Sequence, residues 1–170
     1  KISEKTIFNL LGPHTNPCNA KKQIIGVYDE KLLKTFCNVS KNLEMEHVMT
    51  VHGSDGLDEI TITGHTSIVE LKNNNINEFT ISPKDFGLSL ATLDDIYAES
   101  SEDSFRLVQQ AFAGEKSPVQ DMIALNSGAA LYISGVVDSI GDGVDQSFKL
   151  MNNGEAQAKL ASYVEISNQL

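Results

Sequence analysis

The sequence predicts an α/β fold: a mixed, mainly parallel sheet with an antiparallel hairpin region and flanking helices. Three observations predict it. Two short apolar runs, Gln23 to Tyr28 and Val48 to Val51, enclose a segment whose apolar residues repeat at helical spacing. The middle third alternates short β-branched runs with polar turns. The last third carries repeated helix-start and helix-stop signals.

The chain opens in the polar run Lys1-Ile2-Ser3-Glu4-Lys5, without an initiator Met. Thr6 to Leu11 reads as one or two helical turns stopped by Gly12-Pro13, and Asn16-Pro17 is a second break. We expect a chain entered mid-fold, missing whatever came before. Gln23 to Tyr28 is a buried-strand signal. Asp29 is placed to cap the next helix, whose Leu32, Leu33, Phe36 and Val39 share a face. With the strand at Val48, this makes a right-handed βαβ unit.

Ile60 to Thr63 reads as a further strand. Ile60-Thr61-Ile62 and Ser67 to Leu71 flank Gly64-His65-Thr66, which predicts a hairpin. Asn73-Asn74-Asn75 is a turn, Ile76 to Ile81 returns as a strand, and Ser82-Pro83 ends it. Pro83 to Ala98 is loop-rich, with a break at Gly87. Ser101-Glu102-Asp103 opens a helix with a favourable acidic first turn, and Gly114 closes it. Ser117-Pro118 starts the next, with Pro at the first helical position. It runs to Ile133. Its small residues Ser127, Gly128, Ala129 and Ala130 predict burial and a close neighbour. A helix from Ser139 to Met151 follows, then Gly154, then a last helix over Ala156 to Val164. There are no internal repeats and no low-complexity tract.

The chain has 170 residues, 41% hydrophobic, enough for one core. Its net charge is -10, with thirteen basic side chains of which one, Arg106, is an arginine. That balance argues against nucleic acid, which needs a basic face. It also means that a polyphosphate would need a metal beside this chain. Cys18 and Cys37 form no CxxC pair and read as reduced cytoplasmic thiols. No apolar run reaches membrane-spanning length.

The stretch that organises the chain is Thr50 to Ile60. The strand stops at His52-Gly53, and a polar glycine-containing loop ends in Asp58-Glu59. Open α/β sheets place ligands at such strand ends. Two adjacent carboxylates suit a hard cation. The ordinary alternative is a solvated acidic loop. Neighbouring side chains of a strand point to opposite faces. Both carboxylates therefore serve one ion only if the backbone is irregular, which Gly53 and Gly56 permit. His52 reads as a packed strand-end residue. His14, His47 and His65 read as surface groups, Asn9 as a backbone hydrogen-bonder, and Asn126 as a satisfied core polar group.

Several motifs together carry a family resemblance. They are Thr6-Ile7-Phe8-Asn9-Leu10-Leu11-Gly12-Pro13, Thr15-Asn16-Pro17, Gly26-Val27-Tyr28-Asp29, His52-Gly53, Asp55-Gly56-Leu57-Asp58-Glu59, Asp85-Phe86-Gly87 and Leu125 to Tyr132. In this order and spacing they resemble anthranilate phosphoribosyltransferases over essentially the whole chain. Pyrimidine nucleoside phosphorylases share that fold and are the nearest alternative. A non-catalytic fragment or interaction module, pairing through an open sheet edge, is another. His14 stands where the family usually has Leu, and Ser3 where it usually has Gly.

The resemblance implies the C-terminal part of a nucleoside phosphorylase/phosphoribosyltransferase-like catalytic domain. Residues 1–17 would end the hinge and helical-domain segment, and 18–170 would belong to the α/β domain. The family's N-terminal helical domain and Gly-rich phosphate loop would lie outside this sequence. The implied reaction transfers the phosphoribosyl group of phosphoribosyl pyrophosphate to anthranilate, in tryptophan biosynthesis. Asp58 and Glu59 would hold Mg²⁺, and Gly12 and Pro13 would line the anthranilate pocket. No catalytic nucleophile or base is expected here. The complete enzyme would be a cytoplasmic homodimer. The chain alone would be inactive and would form a non-native oligomer through Ile7, Phe8 and Leu10.

Overall fold

The computed structural model describes residues 12–169. Expectations placed on Thr6 to Leu11, Asn9 and the association surface of Ile7, Phe8 and Leu10 among them, lie outside the described residues.

Four strands form one sheet in the order β1-β2-β3-β4: Lys22–Gly26, His47–Gly53, Thr66–Lys72 and Asn75–Ile81. β1 runs parallel to β2, with Lys22 opposite His47 and Gly26 opposite Val51. The link between them is helix α1, Leu33–Asn42, preceded by a 3₁₀ turn at Glu30–Leu32. Asp29 caps that turn, its Oδ1 accepting from the Lys31 amide at 3.1 Å. The expected β-α-β unit is thus present.

The sheet is mixed, as expected, but parallel pairing does not predominate among the described strands. β2–β3 and β3–β4 are both antiparallel. The predicted hairpin is also re-partnered. Ile60 to Thr63 is not a strand, and β3 pairs with β2 itself, Gly53 opposite Thr66 and His47 opposite Lys72. The expected turn at Asn73-Asn74 joins β3 to β4. Both residues have positive φ, 52° and 64°, the geometry that a two-residue hairpin requires and that Asn tolerates.

β2 is buried on both faces, which explains its near-continuous apolar run. On one face Val48 joins Ile25, Val27, Val69 and Leu71 against Leu33, Phe36 and Cys37 of α1. On the other face Met49 and Val51 join Ile60, Ile68, Ala124, Leu125, Ala129, Ile133, Val144 and Met151. This second core is roofed by α3, Pro118–Ser134, and α4, Ile140–Asn152. α2, Ser101–Phe112, precedes them and α5, Glu155–Ser167, follows.

Ser100, Ser117 and Ser139 cap α2, α3 and α4, each accepting from the backbone amide three residues on. The small-residue stripe of α3 meets α4 as expected. A side chain added at Gly128 would meet the Val144 amide, and one at Gly143 would meet the Gly128 carbonyl. α5 buries none of its residues and leaves Tyr163 and Ile166 exposed.

Two histidines differ from the surface positions expected for them. His47 is buried, 6% exposed, and its Nε2 lies 2.7 Å from Glu70 Oε1, also 6% exposed. The register places His47 and Glu70 on adjacent strands near their shared end, so the pair forms once β3 joins β2. His14 is half-buried, 2.9 Å from Ser40 Oγ, and its ring stacks at a tilt on Phe36.

Candidate functional site

β1 and β2 are parallel, so their carboxyl ends open at the same edge of the sheet. The chain leaves β2 at Gly53 and turns at once. The Gly53 amide donates to the Leu57 carbonyl at 2.8 Å, and the Gly56 amide to the Gly53 carbonyl at 2.9 Å. Gly56 sits at φ 92°, a backbone that other residues rarely adopt. Asp58 and Glu59 follow, both exposed, and Ile60, Thr61 and Ile62 then plunge into the core at 1%, 0% and 0% exposure.

Hydrogen bonds to side chains explain why this buried segment is not a strand. The Ile60 amide donates to Asn126 Oδ1 at 3.0 Å, and Asn126 Nδ2 donates back to the Ile60 carbonyl at 2.9 Å. The Thr61 amide donates to Thr66 Oγ1 at 3.0 Å, and the Ile62 carbonyl accepts from the Ala91 amide at 3.1 Å. Buried backbone groups need partners, and here loops and side chains supply them instead of a ladder. Asn126 is therefore the satisfied polar group that the sequence suggested.

Asp55 closes the loop from inside. Its Oδ2 accepts from Thr61 Oγ1 at 2.5 Å and from Thr63 Oγ1 at 2.6 Å, and its Oδ1 from the Leu57 amide at 3.1 Å. Burial works against the Asp55 carboxylate, but the hydrogen bonds from Thr61, Thr63 and Leu57 outweigh it, and its pKa falls below the ordinary value. Glu59 moves the other way. Desolvation by the surrounding chain raises its pKa, and the charge of Asp58 adds to that. His52, the expected strand-end residue, donates from Nδ1 to the Val27 carbonyl at 2.7 Å and ties β2 to the chain beyond β1.

The carbonyl of Asp58 lies against Gly26, at the end of β1, in the space a side chain would take. This brings the acidic pair over the β1 end. The irregular backbone removes the objection that adjacent strand residues point apart. Among the described residues no group of three acidic, His or Cys side chains is placed to hold a metal. Two carboxylates fit Mg²⁺ when substrate phosphates complete the shell.

Gly12 and Pro13 lie in a 3₁₀ turn, Gly12–Thr15, exposed and half-buried respectively. His14 of this turn reaches Phe36 and Ser40 of α1. A cavity of about 90 Å³ beside it is lined by His14, Asn16, Leu43 and Met45 among others. Met45 precedes β2, whereas Asp58 and Glu59 follow its other end. The described residues therefore leave the two parts of the expected site toward opposite ends of β2. Sequence reasoning missed Asp55 as a loop anchor and Gly26 as the floor beneath Asp58. The Asp-to-Thr spacing of six and eight residues was the available signal for the first.

Residues 1–157 match the glycosyl transferase family, α/β domain. The chain is 45% identical to an anthranilate phosphoribosyltransferase of Vesicomyosocius okutanii, over 98% of this chain and 49% of the relative. It is 41% identical to that of Acetivibrio thermocellus, over 99% of this chain and 49% of the relative. The crystal structure of the anthranilate phosphoribosyltransferase from Thermus thermophilus superposes with a TM-score of 0.86 at 32% identity, covering 96% of this chain and 48% of that one. The chain spans about half the length of the curated relatives it matches. With most of its length matched by the family's α/β domain, and with the acidic loop at the carboxyl ends of its parallel strands, this chain belongs to the glycosyl transferase family.

Proposed function

We propose that this chain is the C-terminal part of an anthranilate phosphoribosyltransferase. The complete enzyme transfers the phosphoribosyl group of phosphoribosyl pyrophosphate to anthranilate in tryptophan biosynthesis. The observation that carries the reading is the identity of 45% along nearly the whole chain to a relative of that name. Residues 1–17 end the hinge segment, and 18–170 belong to the α/β domain. The complete enzyme is a cytoplasmic homodimer, and this chain alone is inactive.

In the reaction the anthranilate nitrogen forms a bond to C1 of the ribose, the bond from C1 to the pyrophosphate oxygen breaks, and the nitrogen loses a proton. Positive charge on the sugar and negative charge on the leaving group build together, so positioning and electrostatics do most of the work. Mg²⁺, when bound, neutralises the leaving pyrophosphate. Asp58 and Glu59 present the two carboxylates that hold it. Support for this role is their exposure beside one another on an irregular, tightly bonded loop. Gly12 and Pro13 line the anthranilate pocket, and the support for them is the Gly-Pro motif and its spacing. A related solved structure, from Saccharomyces cerevisiae, is in complex with PRPP and Mg.

The test is steady-state kinetics of the full-length protein. Asp58→Ala with Glu59→Ala lowers turnover by roughly 10²-fold, the scale of a lost metal-charge interaction. Unchanged kinetics across a Mg²⁺ titration would overturn the metal assignment.

A further inference from the structure

Asp58 and Glu59 stand on a segment with no strand ladder, so side chains must hold their backbone in place. Two anchors do so. The Asp55 carboxylate binds the Leu57 amide just before the acidic pair and the Thr61 and Thr63 hydroxyls just after it. Asn126, on α3, grips both the amide and the carbonyl of Ile60, and a third bond to the Met122 carbonyl at 3.1 Å fixes its own rotamer. Only Asp58 and Glu59 separate Leu57 from Ile60. Both ends of the pair are therefore clamped. Thr61 is fully buried, so its hydroxyl does not exchange Asp55 for water.

We propose that Asp55 and Asn126 are positioning residues, which hold Leu57 and Ile60 so that Asp58 and Glu59 converge on one divalent cation shared with a pyrophosphate group. This rests on the function proposed above. Two carboxylates on neighbouring residues meet one ion only from a particular backbone conformation. A loop freed from its anchors must be ordered when the ion binds, and that ordering cost appears as lost affinity. A loop anchor that serves folding alone would change stability and leave cation affinity where it was.

The experiment uses the full-length protein and three variants: Thr61→Val with Thr63→Val, Thr61→Ser with Thr63→Ser, and Asn126→Ala. Mn²⁺ binding in the presence of pyrophosphate is followed by water-proton relaxation. The Mg²⁺ half-saturation and the KM for anthranilate are measured alongside. The Val pair and Asn126→Ala each weaken Mn²⁺ binding by roughly 10–100-fold, the usual scale for groups behind a metal ligand. The Mg²⁺ half-saturation rises in step, and the anthranilate KM does not move. The Ser pair keeps both hydroxyls and wild-type affinity. Wild-type Mn²⁺ affinity in the Val pair, or equal loss in the Ser pair, overturns the Asp55 clamp. If the Val pair fails to fold, Asn126→Ala decides, since it breaks a different set of bonds, and wild-type affinity there overturns the proposal. A wild-type protein without phosphoribosyl transfer to anthranilate would instead sink the proposed function, and the Mn²⁺ comparison would still judge the clamp.

Discussion

The backbone carbonyl of Asp58 occupies the space above Gly26 that any larger residue would fill with its side chain. Two segments separated by α1 and β2 are thereby locked in register, and the acidic pair is held at the end of the parallel strands. Gly26→Ala must push the carbonyl, and the pair with it, away from the sheet. In the full-length protein we expect turnover to fall by at least about tenfold, since a misplacement of about 1 Å is costly to positioning, and the Mg²⁺ requirement to rise. A Gly26→Ala enzyme with unchanged Mg²⁺ dependence would show that the contact is incidental.

The crossing of α3 and α4 is closed in the same manner by Gly128 and Gly143. A methyl group at Gly143 meets backbone, which cannot rotate away. Gly143→Ala should destabilise the chain by about 1–3 kcal/mol or more, as overpacking does. Gly154→Ala is the contrast, since open space surrounds that residue and only its φ of 83° opposes a side chain. Urea unfolding of both variants checks the difference in mechanism, and a neutral Gly143→Ala would refute the tight crossing.

Asp55 gives the loop a pH dependence whose sign follows from its lowered pKa. A carboxyl with a folded value below its unfolded value, near 3.8, contributes its full stability above that unfolded value. The contribution is lost as pH falls through the folded value. Acid unfolding should therefore be less steep below about pH 4 in Asp55→Asn than in the wild type. Parallel acid titrations, followed by circular dichroism, make the comparison. Identical acid limbs would mean that the Thr61 and Thr63 bonds do not favour the charged form.

The two cysteines should differ sharply in reactivity. Cys37, on the face of α1 that packs against the sheet, is buried, and burial, with smaller contributions from the charges of Glu70 and Glu78, raises its pKa to about 11. Cys18 is exposed. The thiolate is the reactive form, so iodoacetamide at about pH 8 should label Cys18 and spare Cys37 until the fold opens. Peptide mass mapping of the labelled native chain is the check. Labelling of both at equal rates would contradict the packing of α1 against the sheet.

What the sequence determined by itself was local. Ser117 and Ser139 announce their helices because a capping side chain acts within three residues. Asn73-Asn74 announces its turn because both residues tolerate positive φ. The Val48 to Val51 run announces a central strand, and the loop after it announces Asp58 and Glu59. The tertiary structure decided what depended on distant partners. Ile60 to Thr63 has strand composition, yet Asn126, 66 residues further along, takes both backbone groups of Ile60 and leaves none for a ladder. β3 consequently pairs with β2, and that pairing buries His47 against Glu70. The same distance hides Gly26 beneath Asp58 and the Asp55 bonds around the pair. Periodicity reports which face a residue shows, but it carries no information about which remote side chain will satisfy a buried backbone group.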